Sequence, residues 1–183
     1  MLNHFKTAIL LTLILTILTG LIYPLTVTLI AKTFFPYQAS GSLIRKDKTV
    51  IGSKLIAQDF KSPKYFHPRP SVSNHDPVKS GGSNLGPTSK VLINRIIMDV
   101  QKLQKENPHS SIPIDLVTES GSGLDPHISI KAAEFQIPRI AKARNITQEK
   151  IYTLIKKYSE GKLFGLYGES RVNVLLLNLD LDK

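Results

Sequence analysis

Residues 7–31 read TAILLTLILTILTGLIYPLTVTLIA, a stretch that contains no Asp, Glu, Lys, Arg or His. At a rise of 1.5 Å per residue, about 20 apolar residues in a helix cross the hydrocarbon core of a bilayer, which is about 30 Å thick. This stretch is therefore long enough to span a membrane with some tilt. We expect residues 1–35 to form an N-terminal transmembrane anchor.

Two residues of this stretch, Gly20 and Pro24, would interrupt a helix in water. Transmembrane helices tolerate such residues because neighbouring helices and the hydroxyl groups of Ser and Thr satisfy the freed backbone groups. The alternative is a cleavable signal peptide. The apolar stretch is about twice as long as the apolar region of a signal peptide, and no small-x-small cleavage site follows it. The sequence therefore favours a retained helix.

Residues 36–183 are enough for one ordinary domain with its own core. They hold all 14 Asp and Glu and 22 of the 24 Lys and Arg, so their net charge is 22 − 14 = +8. This charge suits contact with anionic lipid or an acidic protein. No helix-turn-helix, RNP or zinc-finger pattern accompanies it, so we expect no nucleic-acid partner. The chain has no Cys, which excludes disulfides and thiol chemistry.

The charges that flank the apolar stretch indicate an orientation. Lys6 and the α-amine lie before it, whereas Lys32, Arg45, Lys46 and Lys48 follow it. By the positive-inside rule, these charges would place the domain in the cytoplasm, but long domains translocate largely regardless of charge. The flanking charges therefore indicate the sidedness of the domain only weakly.

Hydrophobic patterns along residues 36–183 predict a single α+β domain. Residues 42–51 are typical of a short hairpin around a polar turn. Apolar residues at i, i+4, i+8 and i+11 predict a helix that begins after Thr88 or Ser89 and ends at Asn107. The other expected elements are a buried strand over 112–117, a helix over 129–137 interrupted at Pro138, a helix from Thr147, and a closing strand over 172–181.

Residues 61–90 differ in composition from the rest of the domain, with five Pro, three Gly and little hydrophobic periodicity. A stretch of this length without secondary structure in a compact domain is either a functional loop or a disordered linker. Its aromatic residues Tyr65 and Phe66 and its prolines favour an ordered binding loop.

Catalytic patterns are scarce in this chain. No Gly-Lys-Ser/Thr follows a Gly-rich stretch, so a P-loop is absent. Gly121, Ser122 and Gly123 could form an anion nest of backbone N–H groups, although a tight strand-to-helix connection explains them more simply. Ser122, Asp125 and His127 are the residue types of a hydrolase triad, but the Gly-x-Ser-x-Gly elbow is missing. The five His show no metal-ligand spacing, so we expect no catalytic residue and no metal site.

Seven blocks of sequence together resemble the C subunits of the bacterial Kdp potassium-transporting ATPases. They follow one another in the order of that family over nearly the whole chain. The blocks are TGLIYP (19–24), FPYQASGSLI (35–44), YFHPRP (65–70), SGGSNLGP (80–87), DLVT (115–118), SGSGLDPHIS (120–129) and RVNVL (171–175).

This resemblance implies an accessory, non-catalytic subunit of a complex that imports potassium with ATP. Its expected partners are a channel-like potassium-translocating subunit, a P-type subunit that hydrolyses ATP, a very small membrane subunit, and membrane lipid. The family is described as a catalytic chaperone that raises the ATP affinity of the hydrolysing subunit. The resemblance also implies a chain that crosses the cell membrane once, with residues 36–183 outside the cytoplasm. We adopt this orientation, although the charges that flank the apolar stretch indicate the opposite one.

The resemblance also implies candidate site residues. The SGGS segment is likened to the Gly-rich signature of ABC transporters, so one alternative function is a regulatory subunit that contacts ATP directly. A second and less favoured alternative is a membrane-anchored hydrolase. No cofactor is expected to bind tightly, and ATP would act through the ATPase subunit. The candidate nucleotide-binding residues are Ser80, Gly81, Gly82, Ser83, Asn84, Gly121, Ser122 and Gly123. The candidate partner contacts are Gly20, Tyr23, Pro24, Tyr65, Phe66, His67 and Arg69.

Overall fold

The computed structural model describes residues 1–183 and divides them into two compact units, residues 1–51 and 52–183. In the first unit, helix α1 (Leu2–Ile17) continues through one wide turn (Leu18–Ile22) into helix α2 (Tyr23–Phe34). Together they form one helix of 33 residues that is apolar and long enough to cross a membrane, with no buried residue. This is the helix that the sequence predicts.

The wide turn lies where Gly20 and Pro24 interrupt the apolar run. Pro24 has no N–H to bond the carbonyl of Gly20, four residues earlier, so the regular α-helical hydrogen bond is missing next to the π-type turn Leu18–Ile22. Within the helix, Thr19 donates its hydroxyl to the Leu15 carbonyl at 2.7 Å and Thr26 donates to the Ile22 carbonyl at 2.8 Å. These bonds leave neither hydroxyl unsatisfied in an apolar surrounding.

A short helix α3 (Pro36–Ala39) and the hairpin strands β1 (Leu43–Lys46) and β2 (Thr49–Ser53) follow the long helix. The predicted hairpin is confirmed, and its turn places Asp47 at φ +57°. Leu55 and Ile56 do not extend the strand, because the Ser53 hydroxyl accepts a hydrogen bond from the Leu55 N–H at 3.1 Å and turns the chain.

The second unit contains helix α4 (Lys90–Glu106), strand β3 (His127–Ser129), helices α5 (Ile130–Phe135), α6 (Ile137–Arg144) and α7 (Gln148–Tyr158), strands β4 (Ser159–Glu160) and β5 (Arg171–Asn173), and helix α8 (Val174–Leu181). Its sheet is antiparallel with the order β3-β5-β4, and Ile128 pairs with Val172. The core joins this sheet to α5–α8. Its fully buried members include Phe66, Ile140, Ile151, Ile155, Val172 and Leu177.

The α+β class and helices α4 and α7 agree with the sequence prediction, and Thr147 caps α7 by accepting a hydrogen bond from the Lys150 N–H. The strand predicted over 112–117 is wrong. That stretch contains only a 3₁₀ turn, Ile114–Leu116, and no strand pairs with it; Leu116 is the buried residue of the turn. Pro138 lies in the first turn of α6, which begins at Ile137, and does not end a helix, because the N–H groups of a first turn have no partner within the helix.

The closing strand predicted over 172–181 is also wrong beyond its first residues. The Asn173 side chain accepts a hydrogen bond from the Leu176 N–H at 3.1 Å and caps helix α8. Only Arg171–Asn173 pair with neighbouring strands, and the Leu-rich residues after them are helical. A short continuous apolar run does not distinguish a strand from a buried helix.

Candidate functional site

The loop over residues 61–88 contains no regular secondary structure, yet its backbone is held by side chains of the helices. Phe66 is fully buried, and its N–H donates to the Asn178 side-chain oxygen at 2.8 Å. In return, the Asn178 amide nitrogen donates to the Phe66 carbonyl at 2.9 Å. One side chain of α8 therefore satisfies both backbone groups of Phe66, as a neighbouring strand would.

Gln136 does the same for the next residue of the loop. The His67 N–H donates to the Gln136 side-chain oxygen at 2.8 Å, and the Gln136 amide nitrogen donates to the His67 carbonyl at 3.2 Å. Burial, and then the positive charge of Arg139, lower the pKa of the His67 imidazole below its ordinary value. His67 is therefore held neutral as part of the packed loop.

Two arginines fix the stretch before Phe66. Arg139 donates to the carbonyls of Pro63 at 2.8 Å and Tyr65 at 3.0 Å, and it forms an ion pair with Glu106 at 3.1 Å. Arg144 donates to the Lys64 carbonyl at 2.7 Å and lies over the ring of Tyr65, 4.9 Å from its centroid. Side chains of α6 and α8 therefore hold the backbone of residues 63–66 in one conformation, which agrees with the ordered loop that the sequence predicts.

Arg69 connects this loop to the segment that precedes β3. It forms an ion pair with Asp125 at 3.2 Å and donates to the carbonyls of Thr118 at 3.3 Å and Glu119 at 3.1 Å. Burial raises the pKa of Asp125, but hydrogen bonds from His127 and Arg69 outweigh it and hold that pKa below its ordinary value. Asp125 is therefore a carboxylate at neutral pH, and it anchors both segments.

The two Gly-rich segments named by the sequence lie against each other, and we call their contact the glycine junction (residues 80–82 and 121–123). The Gly81 N–H donates to the Ser122 carbonyl at 2.9 Å, and the Ser80 hydroxyl donates to the same carbonyl at 3.1 Å. A Cβ on Gly82 would lie 3.2 Å from the Gly121 carbonyl oxygen. Glycine is needed here because the two backbones approach closely.

The glycine junction brings together six of the eight residues predicted to bind nucleotide. Ser83 and Asn84 follow it, and Asn84 donates its side-chain amide to the Gly82 carbonyl at 3.2 Å. The N–H groups of Gly81 and Gly123 already donate to carbonyls of the segment 120–122, and the Leu124 N–H donates to the Ser122 hydroxyl. These three donors are engaged within the protein, which favours a structural connection over a phosphate cradle. Nucleotide binding by these residues stays a prediction.

The three residue types of a hydrolase triad are only partly assembled. His127 Nδ1 lies 3.6 Å from an oxygen of Asp125, whereas no hydrogen bond joins the Ser122 hydroxyl to the imidazole. His127 Nε2 is buried without a hydrogen-bond partner. No group of three or more His, Asp and Glu side chains lies close enough to hold a metal ion.

A cleft of about 920 Å³ opens beside this network. No sequence pattern predicts this cleft. None predicts the amide hydrogen bonds of Gln136 and Asn178 either, because these residues lie 69 and 112 positions from their loop partners. The charged and titratable side chains that line the cleft are of both signs. They are Arg69, Asp115, Asp125, His127, Lys131, Glu134, Glu169 and Arg171.

The predicted partner contacts fall into two groups. Gly20, Tyr23 and Pro24 are exposed at the wide turn of the long helix, and nothing lies within 4 Å of a Cβ built on Gly20. In the loop, Tyr65, His67 and Arg69 are partly exposed, whereas Phe66 is completely buried and acts as a core residue. Contact of these residues with a partner stays a prediction.

A model of the family described as "K+-transporting ATPase, c chain" matches residues 5–183. A protein of Bradyrhizobium diazoefficiens named "Potassium-transporting ATPase KdpC subunit" is 53% identical, over 100% of this chain and 98% of the relative. Relatives of the same name are 52% identical in Rhodopseudomonas palustris strain BisB18 and 48% identical in Methylobacterium nodulans, each with the same coverage. The chain therefore belongs to the KdpC family, the C chains of potassium-transporting ATPases.

Proposed function

We propose that this chain is an accessory, non-catalytic subunit of an ATP-driven potassium import complex. The observation that carries the proposal is the family match over residues 5–183, since relatives at about half identity over their whole length are named as potassium-transporting ATPase subunits. The exposed apolar helix Leu2–Phe34 supports a single-pass subunit of a membrane complex. Its partners in this proposal are the channel-like subunit, the P-type ATP-hydrolysing subunit and the very small membrane subunit.

We further propose that residues 36–183 lie on the extracytoplasmic side and act as a catalytic chaperone, raising the ATP affinity of the hydrolysing subunit from a distance. An extracytoplasmic domain has no access to cytoplasmic ATP, so the coupling would pass through the transmembrane partners. The engaged N–H groups of Gly81, Gly123 and Leu124 support this indirect mechanism over direct contact with a nucleotide. The identity of the transported ion, potassium, rests only on the names of the family and of its members.

Sidedness can be tested with single cysteines, because the chain has no Cys. We expect Gln104→Cys, on the exposed surface of α4, to react with a membrane-impermeant maleimide on intact cells. Asn3→Cys, before the apolar stretch, is the matched control and should react only after the membrane is permeabilised. The reverse pattern would place the domain in the cytoplasm and contradict the indirect mechanism.

The anchor is expected to pack against another transmembrane subunit at its wide turn, because small residues let helices approach closely. Replacing Gly20 by Leu should therefore reduce copurification of the complex subunits with this chain. Ala8→Leu makes a similar change in size near the start of the helix and should leave copurification unchanged. Equal yields of intact complex from both variants would contradict packing at Gly20.

A further inference from the structure

An exposed apolar loop connects β4 to β5, and we call its residues 162–168 the tip loop. Its four large apolar side chains are among the most exposed in residues 52–183. Leu163 is 64% exposed, Phe164 84%, Leu166 76% and Tyr167 69%. Scattered single apolar residues on a surface are ordinary, but a contiguous group of this kind marks an interaction site.

The tip loop satisfies much of its own backbone. Leu163 and Tyr167 exchange a pair of hydrogen bonds, with the Leu163 N–H donating at 2.8 Å and the Tyr167 N–H at 3.0 Å. The N–H groups of Gly165 and Leu166 donate to the carbonyls of Lys162 and Leu163, each at 3.1 Å. Four of its N–H groups are therefore already paired, which lowers the cost of moving the loop out of water.

The backbone of the tip loop is unusual at Phe164. Phe164 adopts φ +53° and Gly165 adopts φ +73°. A bulky residue in the left-handed region is uncommon and unfavourable, and such residues concentrate at functional positions. Since Phe164 is 84% exposed, packing of its ring against the core of the domain does not offset the cost of this backbone conformation.

The size and charge of the tip loop favour lipid over a protein as its occupant. Four such side chains expose on the order of 500 Å², which is below the roughly 800 Å² per partner of a stable protein interface. No charged residue lies between Lys162 and Glu169, so the apolar group can leave water without burying a charge. Residues 52–183 carry 19 Lys and Arg against 13 Asp and Glu, a net charge of +6 that favours an anionic bilayer surface.

The chain carries its own candidate membrane helix, so residues 52–183 stay tethered to the bilayer that holds it. Residues 35–51 connect the long helix to the second unit, and a chain of that length extends at most about 60 Å. We propose that Leu163, Phe164, Leu166 and Tyr167 of the tip loop insert into the interfacial layer of the membrane in which the chain is anchored. The proposal requires the transmembrane anchor but holds on either side of the membrane, independently of the potassium complex.

The chain has no Trp, so a single introduced Trp reports on its own surroundings. Phe164→Trp would be placed in the full chain, reconstituted in vesicles of zwitterionic and anionic phospholipid. We expect its emission to shift to shorter wavelength than in denaturant, to be quenched by lipids brominated on their acyl chains, and to be protected from aqueous acrylamide. Val78→Trp, at a site 88% exposed in the 61–88 loop, is the control and should show acrylamide quenching without bromolipid quenching.

Two results would overturn the proposal. The first is an emission of the Phe164→Trp variant like that of the control, quenched by acrylamide and unaffected by brominated lipid. The second is a blue shift that appears only when the other subunits of the complex are added, without bromolipid quenching, because that result would assign the tip loop to a protein partner. Neither result would depend on the sidedness found by cysteine labelling.

Discussion

Replacing Asn178 by Leu is expected to lower the free energy of unfolding of the soluble unit by about 2–6 kcal/mol, since two buried backbone groups are left without a partner and each costs about 1–3 kcal/mol. The Asn178 side chain is 1% exposed and bonds both the N–H and the carbonyl of the buried residue Phe66. Leucine has the same branched shape as asparagine but no polar atom, so both backbone groups would lose their partners. Urea unfolding of the detergent-solubilised chain, followed by circular dichroism, measures the loss.

The matched control for this change is Asn94→Leu on the exposed surface of α4. Substitutions at exposed positions without special contacts usually change stability by less than about 0.5 kcal/mol. If the two variants unfolded at the same urea concentration, the amide of Asn178 would not be what holds the loop. The Asn178 variant should also open the 61–88 loop to protease, since Phe66 is the residue that fastens this loop to the core.

Elements with local signals were predictable from the sequence. The long helix is predicted by the uncharged, apolar stretch over residues 7–31. Helix α7 is predicted by the cap at Thr147 and by the apolar periodicity after it. The hairpin over β1 and β2 follows from its polar turn. In each case the residues that decide the structure lie within a few positions of one another, so their effect does not depend on the rest of the fold.

The structure of the C-terminal segment could not be predicted from its local sequence. The run 172–181 is largely apolar and fits a strand or a buried helix equally. Two features decide it: Asn173 caps α8, and the backbone of Arg171–Asn173 is paired by β3 and β4, which lie elsewhere in the chain. The strand predicted over 112–117 is wrong for a similar reason, because a strand needs a partner strand elsewhere in the fold, and none pairs with this stretch.

The candidate site divides in the same way. The Gly-rich segments 80–82 and 121–123 stood out as separate motifs, but their contact depends on the fold, and so does the reason for their glycines. The side chains that order the 61–88 loop gave no signal at all, since Gln136, Arg139 and Asn178 are ordinary helix residues in the sequence. Their roles appear only once α5, α6 and α8 pack around Phe66.

Gly123 is the residue on which the glycine junction depends most. Its φ is +68°, and a Cβ placed on it would lie 2.9 Å from the Gly81 carbonyl oxygen. The same Cβ would lie 3.1 Å from the hydroxyl oxygens of both Ser71 and Ser73. The nearest obstacle is therefore backbone, which cannot rotate away as the end of a flexible side chain would.

Replacing Gly123 by Ala is therefore expected to lower the free energy of unfolding by about 2–5 kcal/mol, because a left-handed backbone costs a residue with a Cβ about 1–2 kcal/mol and the overpacked contact adds about 1–3 kcal/mol. Gly81→Ala is the control, because a Cβ there meets nothing within 4 Å and should cost less than about 1 kcal/mol. Urea unfolding compares the two variants, and equal midpoints would show that the close approach at Gly123 is dispensable. Because the junction joins the loop to the segment before β3, we also expect Gly123→Ala, but not Gly81→Ala, to reduce recovery of the assembled complex.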